Sequence, residues 1–107
     1  MDVIDKAIRY NELLSLYAPL LSETQKEILE DYYSFNLSIT EIAENRKVTR
    51  AAIEDAIKKG TKKLDLFEEQ IGNLKVLKKL EEIREKVADD DISSSIEETE
   101  RMMKHGI

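Results

Sequence analysis

Seven basic side chains fall within positions 46 to 63 of this 107-residue chain, and their shared chemistry is the binding of anionic oxygens. They are Arg46, Lys47, Arg50, Lys58, Lys59, Lys62 and Lys63. Lysine supplies a mobile point charge and arginine a planar fork of donors, and both suit phosphate. Residues 38–64 carry a net charge of +3, whereas the residues before and after them carry −4 and −5. We therefore predict that this segment contacts an anionic partner, with these seven side chains as its candidate nucleic-acid-binding residues.

The same segment has the pattern of a helix-turn-helix motif. Ser38, followed three residues later by Glu41, predicts a capping box at the start of a first helix. Thr49 predicts the cap of a second helix, and Val48 is expected to fill the turn between them. Apolar residues recur at helical spacing in both helices: Ile39, Ile42 and Ala43, then Ile53, Ala56 and Ile57. In such motifs the second helix faces a nucleic-acid groove.

Two interpretations of the second helix are open at this point. Its outward positions are Arg50, Ala51, Glu54, Asp55 and Lys58. Arg50 and Lys58 suit a phosphate or a guanine edge, but two adjacent carboxylates are repelled by a groove lined with phosphates. The alternative is ordinary helix-surface charge, paired at a spacing of four residues. For the lysines at 58, 59, 62 and 63, contact with a phosphate backbone and a solvated helix flank are likewise alternatives.

Composition argues against several other classes of protein. The absence of cysteine excludes disulfides, thiolate nucleophiles and thiolate metal sites, and favours a reducing cytoplasm. His105 is the only histidine, and neither a catalytic constellation nor a phosphate-cradling glycine loop occurs. We therefore expect no enzymatic activity, no metal and no cofactor. The N-terminus lacks the layout of a signal peptide, and no apolar run approaches the length that crosses a bilayer, so we expect a cytoplasmic protein without a membrane partner.

Helical periodicity over the whole chain, with one proline and three glycines, predicts an all-α fold. We expect helices near residues 2–18 and 23–34, with Ser22 capping the second, before the pair near 39–45 and 50–59. Gly60 is expected to bend or break the apolar stripe that continues from the second helix, and Gly72 to end it. The aromatic residues fall on stripes typical of a core, which argues against base stacking on exposed rings.

The C-terminal region predicts a helical arm. A helix near residues 74–88 is followed by an expected solvated hinge at 89–95 and a short last helix capped by Ser95. We therefore divide the chain into a helix-turn-helix domain with an N-terminal helix at 1–71 and an arm at 72–107. An amphipathic helix cannot bury its own apolar face, so the arm either folds back onto the domain or pairs with a second copy.

The motifs together resemble a known family. Leu20-Leu-Ser-Glu-Thr-Gln25, Glu41-Ile-Ala43 and Val48-Thr-Arg50 resemble the promoter-reading region 4 of sigma factors. With Tyr17-Ala-Pro-Leu-Leu21 and Tyr32-Tyr33, the chain is more similar still to the YlxM-like family of small bacterial helix-turn-helix proteins. The resemblance implies a sigma-region-4-like core of three or four helices, related to the winged-helix superfamily, and long helices that pair two subunits. For this reason we favour a homodimer.

The resemblance also implies a regulatory role in the signal recognition particle pathway. The basic segment would then contact the particle's RNA or its GTPase. A dimeric transcription regulator that reads a palindromic DNA site is the alternative, and a structural dimer whose DNA-binding surface has decayed is a third hypothesis. The turn departs from the family pattern, because Arg46 and Lys47 stand where an apolar residue and a glycine are usual. We therefore expect either a positive φ at Lys47 or a rearranged turn, and a turn that is weakened or covered by another part of the chain.

Overall fold

The computed structural model describes residues 2–87 and 89–105, and these residues form helices and turns without a strand. The helices are α1 (Val3–Tyr17), α2 (Glu23–Leu29), α3 (Ile39–Arg46), α4 (Arg50–Ile71), α5 (Asn73–Lys86) and α6 (Asp90–His105). A 3₁₀ turn at Ala18–Leu20, with Pro19 inside it, joins α1 to α2. Helix α2 continues as a π-helical turn at Glu30–Ser34. The predicted all-α, helix-turn-helix fold is confirmed.

Two layers of buried side chains hold the helices together. The larger core joins α1, α2, α4 and α5 through Leu13, Leu14, Leu16, Tyr17, Leu21, Leu29, Leu64, Leu74 and Leu77. The smaller core lies under the helix-turn-helix and consists of Ile28, Ile42, Ala43 and Ile53. Helix α4 spans both cores, and the partly buried Ile57 packs against each of them. The orientation of α4 is therefore fixed along its length, because the helix packs against both cores.

Gly60 does not break α4, and the expected break there is wrong. The helix runs unbroken from Arg50 to Ile71, and Gly60 is buried within it. A Cβ at this position would lie 2.6 Å from Cδ1 of Leu29 and 3.1 Å from its Cγ. The glycine therefore serves the close approach of α2 to α4, and its missing side chain makes room for a fully buried leucine.

Polar contacts between α1 and α4 add to the apolar core. The Arg9 guanidinium donates to Asp65 Oδ1 from Nη2 at 3.0 Å and from Nε at 3.3 Å. The Tyr10 hydroxyl donates to the other oxygen of the same carboxylate at 2.8 Å. One aspartate thus joins two successive residues of α1 to the middle of α4, because both of its oxygens are used.

The C-terminal arm folds back onto the domain. Helix α4 ends at Gly72, which has φ +74° as its predicted stop requires, and α5 then returns along α1. The Lys78 ammonium lies 3.2 Å from a carboxylate oxygen of Glu12, and Met103 of α6 packs against the larger core. Of the two predicted arrangements, the fold-back is therefore present within a single chain.

The hinge predicted at residues 89–95 is wrong in its extent. Helix α6 already begins at Asp90, so the three serines at 93–95 lie inside it. Asp89, and not Ser95, caps the helix: its Oδ1 accepts hydrogen bonds from the backbone N–H groups of Asp91 at 2.9 Å and Ile92 at 3.1 Å. Aspartate suits this position because its charge favours the positive end of the helix dipole.

Candidate nucleic-acid interface

Local hydrogen bonds set where both helices of the helix-turn-helix begin. Ser38 Oγ accepts from the Glu41 N–H at 3.1 Å, and Glu41 Oε1 accepts from the Ser38 N–H at 3.2 Å, which is the predicted capping box. Thr49 Oγ1 accepts from the Ala52 N–H at 3.1 Å and caps α4, also as predicted. Because each start is fixed by its own cap, the first turn of α4 is held in a defined direction.

An ion pair, and not an apolar plug, secures the turn between α3 and α4. Val48 is 46% exposed, so the expectation that it fills the turn is wrong. Arg46 instead reaches back to α2 and the π-helical turn, with Nη2 3.1 Å from Glu27 Oε2 and 3.6 Å from Asp31 Oδ2. Its charge is used within the chain, and it is the most buried of the seven predicted binding residues. The main role of Arg46 is therefore to hold the turn that leads into α4, and so to position α4.

Lys47 adopts the left-handed conformation that its place in the turn predicts. Its φ is +57° and its ψ is +45° where it ends α3, and its backbone N–H donates back to that helix. A residue with a Cβ pays about 1–2 kcal/mol for this conformation. The turn is therefore present, and strained at one residue that carries a candidate binding charge.

Replacing Lys47 with glycine is expected to raise the free energy of unfolding by about 1 kcal/mol, because glycine adopts positive φ without the steric cost of a Cβ. Chemical denaturation followed by circular dichroism measures the difference. Lys47→Ala is the matched control, since it removes the same charge and keeps the Cβ. Equal stability of the glycine and alanine variants would contradict the strain.

The first two turns of α4 present mixed charge. Arg50 is exposed directly after the cap and forms no ion pair within the described residues. Glu54 and Asp55 follow, and the Asp55 carboxylate lies 3.0 Å from the Lys59 ammonium. That pair joins two exposed side chains one turn apart, so it contributes little to stability but offsets one carboxylate. A single arginine thus stands against two acidic residues in the part of α4 that would approach base edges.

Positive charge dominates in the middle of α4. We call Lys58, Lys59, Lys62 and Lys63 the lysine surface; all four side chains are exposed. Lys63 Nζ donates to Gln25 Oε1 of α2 at 3.2 Å, which directs it along the flank of the helix. Lys58 and Lys62 form no ion pair within residues 2–87 and 89–105. They lie one turn apart on the face opposite the core, so their ammonium groups can both reach one phosphate backbone.

A groove beside α4 is a feature that the sequence pattern did not indicate. We call it the side groove: it has a volume of about 680 Å³ and lies between the start of α1, the π-helical turn, the start of α3 and one flank of α4. Tyr32 and Tyr33 line it, and both are only partly buried, so the assignment of these rings to the core is wrong in part. Lys58 stands on its rim and also belongs to the lysine surface. The adjacent tyrosines were the available signal, because neighbouring residues on a helix point about 100° apart, so one of the two rings can face away from the core.

Burial raises the pKa of two tyrosines near these elements to about 12. For Tyr17 the second cause is its hydrogen bond to Glu68, and for Tyr33 it is repulsion from the neighbouring Tyr10. An unfolded tyrosine titrates near pH 10. Because the folded pKa values are higher, the neutral rings stabilise the fold fully below about pH 10, and this stabilisation is lost as the pH rises through 12.

We therefore expect the free energy of unfolding to fall between about pH 10 and pH 12. Tyr33→Phe should make the fall shallower and leave stability at neutral pH nearly unchanged, because the Tyr33 hydroxyl makes no hydrogen bond within the described residues. Denaturation curves across this pH range give the slope for each protein. An equal slope in the variant would contradict a contribution from Tyr33.

Two other kinds of feature are absent from residues 2–87 and 89–105. None of the helices is long and apolar enough to cross a membrane. In the part of the chain that the structure describes, no group of three or more histidine, cysteine, aspartate or glutamate side chains is placed to hold a metal ion.

Comparison with known proteins gives one consistent result. Residues 4–104 match the model of the UPF0122 family, described as "Putative helix-turn-helix protein, YlxM / p13 like". A UPF0122 protein of Fusobacterium nucleatum is 36% identical over 99 residues, covering 89% of this chain and 96% of the relative. One from Malacoplasma penetrans is 36% identical over 88 residues, covering 82% of each. One from Halalkalibacterium halodurans is 37% identical over 81 residues, covering 76% of this chain and 74% of the relative.

Proposed function

Because this chain belongs to the UPF0122 family of YlxM/p13-like helix-turn-helix proteins, we propose that it binds nucleic acid through the lysine surface of α4. The observation that carries the proposal is the pair Lys58 and Lys62, which are exposed, one turn apart and free of ion pairs within the described residues. Lysine ammonium groups bind phosphate as point charges, without reading base edges.

The position of the positive charge favours backbone contact over base reading. The lysine surface begins eight residues beyond Arg50, about 12 Å along the helix axis. The carboxylates of Glu54 and Asp55 lie between, in the part of α4 that enters the groove in standard docking. The chain therefore approaches the duplex or folded strand with the middle of α4, where the four lysines outnumber the carboxylates of Glu54 and Asp55.

Direct binding tests this function. Fluorescence anisotropy with a labelled nucleic-acid duplex at low salt should give saturable binding. Lys58→Ala with Lys62→Ala should weaken it by about tenfold or more. The matched control is Lys75→Ala with Lys79→Ala, which removes the same charge from exposed positions of α5. An equal loss in both double variants would mean that net charge alone governs binding, and the proposed surface would be wrong.

At the level of the cell, we propose a regulatory, non-enzymatic role in the signal recognition particle pathway, in the cytoplasm. The support is the resemblance of the chain to its family and a cysteine-free composition that suits a reducing compartment. The partner is the particle's RNA or its GTPase. Purification of the tagged protein from cells, followed by RNA sequencing and mass spectrometry, should recover one of the two. Recovery of neither would contradict the assignment.

A dimeric DNA-binding transcription regulator is the second candidate, and Arg50 is the observation that favours it. Its guanidinium is exposed in the first turn of α4, where a fork of donors can meet a guanine edge. Selection from random DNA duplexes should then enrich a discrete site, and Arg50→Ala should abolish the enrichment. Selection without an enriched site would remove this candidate.

We further propose that the protein forms a homodimer. Apolar side chains remain exposed on the outer helices, including Val76 and Ile83 on α5 and Ile92 and Met102 on α6. A second copy is the partner that family resemblance favours for such faces. Sedimentation should then show a molecular mass that rises with concentration, whereas a constant monomer mass would contradict the dimer.

A further inference from the structure

The side groove has the dimensions and lining of a small-ligand site. Its volume of about 680 Å³ falls in the usual range of about 300–1,000 Å³ for such sites. The floor is apolar and includes Leu37 and Ile39, which pack on the smaller core. Lys6 of α1 and Lys58 of α4 bring positive charge to it from two separate helices. An apolar floor between cationic groups is complementary to a flat ring that carries a phosphate.

The aromatic side of the groove is held in place by unusual backbone. The π-helical turn at Glu30–Ser34 inserts an extra residue. Such turns are rare in proteins overall, and those that occur are often found at functional sites. Asn36, which also lines the groove, has φ +55°, in the left-handed region that asparagine enters more readily than most residues other than glycine. Left-handed and π-helical backbone therefore meet at the wall that carries Tyr32 and Tyr33.

Contacts among three tyrosines fix the ring that faces the groove. The Tyr32 ring meets Tyr33 edge to face, with centroids 4.9 Å apart, and Tyr33 lies 5.2 Å from Tyr10. Tyr10 is in turn hydrogen-bonded to Asp65 of α4. These contacts restrict the conformations open to the Tyr32 side chain, so less conformational entropy is lost when a flat ring stacks on it.

Carboxylates supply the remaining chemistry. Glu54 and Glu41 line the groove, and Glu54 forms no ion pair within residues 2–87 and 89–105. A carboxylate repels phosphate, but it accepts hydrogen bonds from the amino groups of bases. Glu54, one of the two acidic residues that conflict with insertion of α4 into a duplex groove, and Glu41 are thus suited to the edge of an unpaired base. Lys6 and Lys58 suit its phosphate.

We propose that the side groove holds an unpaired nucleotide of an RNA, with its base against Tyr32 and its phosphate between Lys6 and Lys58. The inference rests on the proposed nucleic-acid binding, because Lys58 belongs to both the groove and the lysine surface. A strand gripped along α4 can therefore turn one nucleotide into the groove. RNA is the source, because its loops and bulges present unstacked bases that proteins read by stacking and by their edges.

Two RNA probes with the same number of phosphates test the inference. One is a hairpin with several unpaired loop nucleotides, and the other is a fully paired duplex. The protein should bind the hairpin about tenfold more tightly, the size expected for one base stacked on an aromatic ring. Tyr32→Leu should lower hairpin affinity to the duplex level and leave duplex affinity unchanged. Tyr32→Phe should keep the preference, because the ring remains.

Phe35→Leu is the matched control, since it removes an aromatic ring that is 67% exposed and lies outside the side groove. If Tyr32→Leu fails to fold, Lys6→Ala at an exposed position of α1 replaces it and should weaken the hairpin more than the duplex. Equal binding of both probes by the native protein, or a preference that survives Tyr32→Leu, would overturn the inference. The apolar floor of the side groove would then be a contact surface for a helix of a partner protein. Failure to bind either probe would overturn the proposed function as well.

Discussion

Replacing Glu68 with alanine is expected to lower the free energy of unfolding by about 2–4 kcal/mol, although this side chain lies on the edge of the core. Its Oε1 accepts from the Tyr17 hydroxyl at 2.7 Å and from the Leu74 N–H at 3.0 Å. Its Oε2 accepts from the Lys75 N–H at 3.2 Å. Helix α5 has glycine at its N-cap and no side-chain cap of its own, so Glu68 supplies the missing acceptor from α4.

The loss is large because it leaves several donors without an acceptor. The Tyr17 side chain is fully buried, and its hydroxyl would keep only the Asn73 N–H, which donates to it at 2.9 Å. Urea denaturation followed by circular dichroism measures the effect. Glu69→Ala is the matched control at the neighbouring exposed position and should change stability by less than about 0.5 kcal/mol. Similar values for the two variants would show that Glu68 does not hold α5 in place.

Reversing all four charges of the lysine surface is expected to abolish nucleic-acid binding. Glutamate at positions 58, 59, 62 and 63 replaces attraction to phosphate with repulsion, and the affinity should fall by about a hundredfold or more. The fold should persist, because the four side chains are exposed and only Lys59 forms an ion pair within the described residues. Anisotropy and a thermal melt of the same samples separate loss of binding from loss of structure.

Removing negative charge from α4 should strengthen the binding of nucleic acid, whereas adding negative charge weakens it. Glu54→Gln with Asp55→Asn removes two negative charges from the same helix and should strengthen binding to a paired duplex by about tenfold, since each charge repels the phosphates. A purely structural role for α4 predicts no such gain. Weaker duplex binding after this substitution would indicate that the carboxylates contact the nucleic acid directly.

Features that depend on neighbouring residues in the sequence were predicted well. The caps at Ser38 and Thr49 and the helix stop at Gly72 follow from side-chain chemistry that acts over three or four residues, and all three are confirmed. For Lys47 the turn pattern predicted either a positive φ or a rearranged turn, and the first of these is observed. Local rules sufficed because these hydrogen bonds and backbone angles need no partner from elsewhere in the fold.

Features that depend on a distant partner were not predicted. Gly60 has the sequence character of a helix breaker, but its role is set by Leu29, which comes from another helix. Arg46 has the character of a binding residue, but Glu27 and Asp31 lie across the turn from it. In each case the deciding contact joins residues well separated along the chain, and helical periodicity carries no information about such pairs.

One part of the candidate site, the lysine surface, could be predicted from the sequence, and the other part, the side groove, could not. The exposed positions of the lysine surface followed from the helical period, since the buried Ile53 and Leu64 fix the opposite face of α4. The side groove did not follow, because it needs the π-helical turn and the start of α1 to meet α4. A periodicity of 3.6 residues cannot anticipate a turn with an extra residue, so Tyr32 was assigned to the core.

Dependence of binding on salt concentration tests most directly whether the middle of α4 engages a phosphate backbone. With four lysine contacts, the logarithm of the association constant should fall linearly with the logarithm of salt concentration, with a slope of about −3.6. That slope corresponds to roughly a hundredfold loss between about 50 and 200 mM salt. A slope near zero, or one that the charge-reversed variant retains, would contradict the assignment of these lysines.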